Sequence, residues 1–264
     1  MSLTDKVAVV LGAGGGIGRA VATAFAREGA TVYLSGRRLE PIQKLQAEIA
    51  SKGGRAHAHR VDALDTAAVE THMTHVAEHA GGLDIAFNAI GVGDVQGIPL
   101  LEMELADYER PITTATRTQF ITSTAAARHM AARGSGVILM ITASPARIGY
   151  PNTGGFGVAC AALEGFTRSL AAEVGGRGVR VVCLRSAGSP DSPAFDDEVL
   201  TNEKVDPQLR LETQEVLRSM TDRTMLGRLP LTTEIGNVAA FVASDDARSL
   251  TGTVINVTGG TTVD

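Results

Sequence analysis

The strongest chemical signal in this 264-residue chain is a stretch of backbone, Leu11-Gly12-Ala13-Gly14-Gly15-Gly16-Ile17-Gly18-Arg19. A turn so rich in glycine takes positive φ and lets main-chain N–H groups approach an anion. Ala20, Val21, Ala24 and Phe25 open a helix directly after it, whose positive end faces the same point. Strand, glycine turn and helix in succession form the arrangement that holds a dinucleotide pyrophosphate; a merely structural glycine turn is the plainer alternative. Further on, the second apolar run ends in Ser35-Gly36-Arg37-Arg38, with no acid. A carboxylate there would take free ribose hydroxyls, whereas a guanidinium fork suits a phosphate, so NADP(H) is expected over NAD(H).

Groups for proton or nucleophilic chemistry are few. Ser144 and Thr142 close an apolar run, Tyr150 lies in a turn beyond it, and Arg147 between them offers charge but no proton near neutral pH. A capped strand end for Ser144 and a packing role for Tyr150 are the plainer readings. Cys160 and Cys183 sit in apolar stretches without paired-ligand spacing, which suggests neither a disulfide framework nor a metal site. Five of the six histidines, His57, His59, His72, His75 and His79, fall on one strand and the helix after it; His129 stands apart, and a packed or solvated face is expected for them.

The elements that must position these groups are read from periodicity. Short apolar runs at 7–11, 31–34, 56–61, 84–87, 137–141, 179–184 and 253–257 alternate with helical patterns near 17–28, 40–51, 65–80, 104–133, 155–174 and 232–243. Each gap is long enough for a parallel crossover, so one α/β domain with a seven-stranded, mostly parallel sheet accounts for residues 1–264. The segment 186–229, with Pro190, Pro193 and Pro207, breaks the rhythm after a strand end. A substrate lid or a packed helical surface hairpin would each explain it.

Composition narrows the function. With 44% hydrophobic and 20% charged residues the chain is globular, and a net charge of −5 argues against a nucleic-acid coat. No apolar run reaches membrane-spanning length, and the start passes from Met1 straight into a strand pattern, so a cytoplasmic protein acting on a small molecule is expected.

These residues, their order and the chain length resemble the short-chain dehydrogenase/reductase family along the entire sequence. Gly12, Gly16 and Gly18 fit its Gly-x3-Gly-x-Gly turn, Asp62 its adenine-contacting acid, and Asn88-Ala89-Ile90-Gly91 its Asn-Asn-Ala-Gly turn with the second Asn missing. The ending Leu250 to Gly260 fits its last strand and Gly-Gly. The resemblance implies a Rossmann-like doubly wound sheet with helices on both faces, hydride transfer between an alcohol and a ketone, and homodimers or homotetramers. It places cofactor contacts at Gly12, Gly14, Gly15, Gly16, Ile17, Gly18, Arg37, Arg38, Asp62 and Ala63, and at Asn88, Ala89, Gly91, Ser186 and Gly188 on the strand ends further along. No metal is implied.

The family's Asn-Ser-Tyr-Lys tetrad does not carry over. Phe156 stands at the Tyr position, Cys160 at the Lys position, Ala143 at the Ser position and Ala115 near the Asn position. No lysine occurs between Lys52 and Lys204, so no shift of alignment restores one, and the family's Pro-Gly reads Ser186-Ala187-Gly188. Losing an acid-base group removes about 10²–10⁴ in rate, or roughly 3–5.5 kcal/mol of barrier. Three functions fit: an NADP(H)-dependent oxidoreductase of carbonyl, alcohol or enone substrates that uses the substrate itself, water, Ser144 or Tyr150 in place of the tetrad; a lyase, dehydratase or isomerase on the same scaffold; or a catalytically silent NADP(H)-binding subunit or redox sensor, paired with an active relative as a hetero-oligomer.

Overall fold

A computed structural model describes residues 2–193 and 213–264. Every apolar run becomes a strand and every amphipathic stretch a helix: β1 (Val7–Leu11), α1 (Gly16–Arg27), β2 (Thr31–Gly36), α2 (Leu39–Ser51), β3 (Arg55–Arg60), α3 (Thr66–His79), β4 (Ile85–Asn88), α4 (Leu105–Arg133), β5 (Gly136–Ala143), α5 (Phe156–Val174), β6 (Val179–Ser186), α6 (Thr213–Thr221), α7 (Thr232–Ala243) and β7 (Thr253–Val257). The seven strands form one parallel sheet in the order β3-β2-β1-β4-β5-β6-β7. This is a single-domain Rossmann-like fold. Chain order reverses between β1 and β4, which opens a crevice at the carboxyl ends of the strands.

Alternation along each strand supplies both faces. Val10, Leu34, Leu139 and Leu184 pack with Phe25 of α1 and Ile235 of α7, whereas Val9, Ile138, Met140 and Val181 pack with Met73 of α3 and Ala126 of α4. A strand covered on both sides must be apolar throughout, which is why β1 reads Val-Ala-Val-Val-Leu and is wholly buried. At the sheet's edge β3 reads Arg-Ala-His-Ala-His-Arg, and its Ala58 N–H donates to Gln46 Oε1 of α2 at 3.2 Å.

Of the expected lid at 186–229, residues 194–212 lie outside the described residues. The remainder includes α6, a helix of the kind the helical-hairpin reading allowed, with bounds the sequence pattern did not mark. Asp191 ties the other end down: its carboxylate accepts the Thr232 N–H at 2.9 Å and the Thr232 hydroxyl at 2.8 Å, at the start of α7. Five of the histidines, all but His129, form a cluster with Tyr33. Ring centroids are 4.9 Å apart for Tyr33 and His57, 5.1 Å for His59 and His72, and 4.0 Å for His75 and His79. Among the described residues no helix is long and apolar enough to cross a membrane, and no group of three His, Cys, Asp or Glu is placed to hold a metal.

Candidate active site

The phosphate turn is built by close backbone approach. Gly12 has φ 76°, and a Cβ there would run into the Ala89 carbonyl beyond β4; a Cβ on Gly18 would run into the Gly12 carbonyl. Gly12 and Ala13 donate their N–H groups to the Ser35 carbonyl at 2.9 and 3.2 Å, fixing the turn to β2. Helix α1 begins at Gly16 with no acid in its first turn, which leaves its positive end for an anion. Gly14 and Gly15 precede that end, and Ile17 packs against the core. Arg19 is taken up by Glu48 at 2.6 Å.

Around this turn the structure gathers the other expected contacts. Arg37 and Arg38 are exposed just past β2. Asp62 follows β3 and folds its carboxylate back to accept the Leu64 N–H at 3.0 Å, with Ala63 buried beside it. Asn88 is buried and structural: its amide donates to Thr122 Oγ1 at 2.9 Å, and its Oδ1 accepts the Ile90 N–H at 3.0 Å, bracing the Ala89 to Gly91 turn. Beyond β6, Ser186 donates to the Ala187 carbonyl at 2.8 Å. Ser189, next to Gly188, is the one residue with a buried side-chain polar atom lacking a partner among the described residues. An orphaned hydroxyl costs about 1–3 kcal/mol, which a ligand's hydrogen bond would recover. A glycine cradle with no room for a Cβ, a helix start with no acid in its own first turn and an orphaned buried hydroxyl past the carboxyl end of β6 fit a dinucleotide.

Near the carboxyl end of β5 the four positions compared with the tetrad carry no acid-base pair. Ala115 of α4 is buried against Ala159 and Leu163 of α5. Ala143 ends β5, paired in register with Ser186, and Phe156 is the first residue of α5. Cys160 is buried, and desolvation pushes its thiol up to about 12, so it supplies neither a cation nor a thiolate near neutral pH.

One residue past Ala143, the hydroxyls do meet. Ser144 is buried, its Oγ stands 3.1 Å from the Tyr150 OH, and its carbonyl accepts the Arg147 and Ile148 N–H groups at 3.0 and 3.2 Å. That short turn folds the chain back so that a tyrosine six residues on reaches the strand end. The guanidinium of Arg223, just after α6, lies over the Tyr150 ring at 4.9 Å from its centroid. Beneath the site Arg185 of β6, 2% exposed, makes a two-pronged pair with Glu164 of α5, Nε to Oε1 at 2.7 Å and Nη2 to Oε2 at 2.9 Å, and reaches Asp264 at 2.5 Å. Those hydrogen bonds, Glu164's foremost, raise the Arg185 pKa and hold it charged. Arg223 and Arg185 were not singled out from sequence. An arginine directly at the end of the apolar run 179–184 was the available signal for the buried pair; nothing local marks Arg223.

The model of the family described as enoyl-(acyl carrier protein) reductase matches residues 12–262. The chain belongs to the short-chain dehydrogenase/reductase family. Among relatives of this family, the hydroxynaphthalene reductase-like protein Arp2 of Metarhizium majus is 33% identical over 263 residues, covering 98% of this chain and 96% of the relative. An uncharacterized oxidoreductase of Thermotoga maritima is 32% identical over 264 residues, covering 99% of each. Two solved structures are similar throughout. A dehydrogenase/reductase from Sinorhizobium meliloti 1021 has a TM-score of 0.82 at 29% identity, covering 99% of this chain and 97% of that one. A protein assigned as an NAD(P) dependent gluconate 5-dehydrogenase from Beutenbergia cavernae, with NADP bound at low occupancy, has a TM-score of 0.84 at 30% identity, covering 98% and 97%.

Proposed function

We propose that this short-chain dehydrogenase/reductase is an NADP(H)-dependent oxidoreductase that reduces a carbonyl or enone substrate, with Tyr150 as proton donor and Ser144 as its hydrogen-bond partner. The observation that carries the reading is the 3.1 Å approach of Ser144 Oγ to Tyr150 OH at the end of β5, beside positions that hold no other acid. When bound, the reduced nicotinamide supplies a hydride. At a carbonyl whose carbon would take that hydride, Tyr150 would give its phenol proton to the carbonyl oxygen, which would leave an alcohol and a phenolate for solvent to reprotonate. Ser144 donates to the phenol oxygen as its charge grows, the electrostatic assistance that lowers such a barrier.

Exposed Arg37 and Arg38, the missing acid after β2 and the NADP in the Beutenbergia cavernae relative favour the phosphorylated cofactor. Assembly as a homodimer or homotetramer belongs to the same reading, supported by exposed Phe120 on α4 and Val158 on α5.

The test is NADPH oxidation at 340 nm across aldehydes, ketones, enones and 9,10-phenanthrenequinone, beside NADPH and NADH binding followed by cofactor fluorescence. Turnover is expected, with NADPH bound more tightly than NADH, and Tyr150→Phe is expected to lower kcat about 10²–10⁴-fold at unchanged NADPH affinity. Tight NADPH binding with no turnover of any substrate, or a Tyr150→Phe enzyme as fast as its parent, would refute the reading.

A further inference from the structure

We propose that Arg223 is the positioning residue for this acid, standing over the Tyr150 ring and supplying from the turn after α6 the positive charge that the missing lysine would have supplied from α5. The inference rests on Tyr150 as donor and adds what holds and charges that donor.

Four observations lead to it. The guanidinium lies 4.9 Å from the ring centroid, inside the range in which a cation is attracted to an aromatic face. Its backbone is fixed from both sides: Arg223 N–H donates to the Met220 carbonyl at 3.3 Å, Thr224 N–H to Thr221 at 2.9 Å, and Leu226 N–H to the Gly259 carbonyl at 3.0 Å, beyond β7. Among the described residues no carboxylate forms an ion pair with Arg223, and the contact its guanidinium makes is with the Tyr150 ring. Arg147 and Arg185 are engaged elsewhere, Arg147 with Asp264 at 4.0 Å and Arg185 with Glu164 and Asp264.

The chemistry follows from where charge appears. After the proton leaves, the negative charge on the phenol oxygen spreads into the ring, and the cation above the ring attracts it more strongly than it attracted the neutral phenol. Ser144 grips the oxygen and Arg223 the face, so the ring is held in two directions. An arginine does this without titrating near neutral pH.

The test has a structural and a kinetic arm. In protein labelled with ¹⁵N-arginine, the Nε–H resonance that Arg223→Lys removes is expected upfield in the parent, from the ring current, and to return downfield in Tyr150→Leu. With NADPH and 9,10-phenanthrenequinone, Arg223→Met is expected to lower kcat about 3- to 30-fold, while Arg223→Lys keeps most of it. The NADPH dissociation constant stays unchanged in both variants. A resonance that ignores Tyr150→Leu, Met and Lys variants that are equally slow, or an Arg223→Met enzyme as fast as its parent while Tyr150→Phe is inactive would each overturn the proposal. The last outcome leaves Tyr150 as donor; a fully active Tyr150→Phe enzyme removes both.

Discussion

Replacing Glu164 with alanine tests how the floor of the site is held. Its carboxylate takes two hydrogen bonds from Arg185, at 2.7 and 2.9 Å, and one from Thr142 Oγ1 at 3.3 Å, while Arg185 is 2% exposed. Truncation strands a buried guanidinium on Asp264 alone, whose side chain is 45% exposed. Breaking a buried pair from one side costs about 3–5 kcal/mol. At about 2–4 °C per kcal/mol for a chain of this size, the melting temperature should fall by about 6–20 °C. Asp264→Asn, at the solvated end of the same network, should cost under about 1 kcal/mol. The double variant Glu164→Leu with Arg185→Met should recover most of the loss, because no charge is left buried. Thermal unfolding by far-UV circular dichroism, with urea titrations to check that m is unchanged, measures all three. A drop below about 3 °C for Glu164→Ala, or a double variant as unstable as the single, would show that Arg185 finds solvent when its partner is lost.

The histidine cluster makes stability depend on acid. Burial, then the neighbouring His59 and His75, lowers His72 from its ordinary 6.5 to about 4. The unfolded chain therefore binds a proton that the folded one refuses between those values, and the stabilisation present above pH 6.5 is lost as pH falls toward 4, by on the order of 3 kcal/mol. His72→Gln, which keeps a partner for Ser35 Oγ, should flatten that slope in urea titrations run from pH 7 to 4.5; an equally steep slope would exonerate His72. The two thiols give a simpler check. Burial above all pushes both Cys160 and Cys183 up to about 12, so iodoacetamide at pH 8 should leave the folded protein unmodified by mass spectrometry and alkylate both residues in urea. Prompt labelling of Cys160 in the native protein would mean that the start of α5 opens to solvent.

The sheet was legible because burial on both faces forces continuous apolar strands, and the runs at 7–11 and 253–257 match β1 and β7 residue for residue. The phosphate turn was equally plain, since a backbone conformation that only glycine tolerates leaves its mark in composition. The bounds of helix α6 were hidden, within a segment whose prolines and acids obscure any period. The Tyr150 and Arg223 contact was hidden for another reason: it joins two turns far apart in the chain, and only the folded crevice brings them together. Ser144 and Tyr150 were recognisable as candidates, yet their meeting depends on the short turn at Ser144, which no local pattern specifies.

The edge strand β3 also bears on how the molecule behaves in company. An unprotected strand edge is a template on which a second chain can extend the sheet, and proteins guard such edges with charge or by occupying the free main-chain groups. Both safeguards operate here. Gln46 occupies the Ala58 N–H, and Arg55 and Arg60 place exposed cations at either end of the strand. Neither safeguard depends on His72, whose protonation loosens the fold in acid. A partly opened molecule at low pH is thereby guarded against sheet-to-sheet aggregation at its most accessible strand.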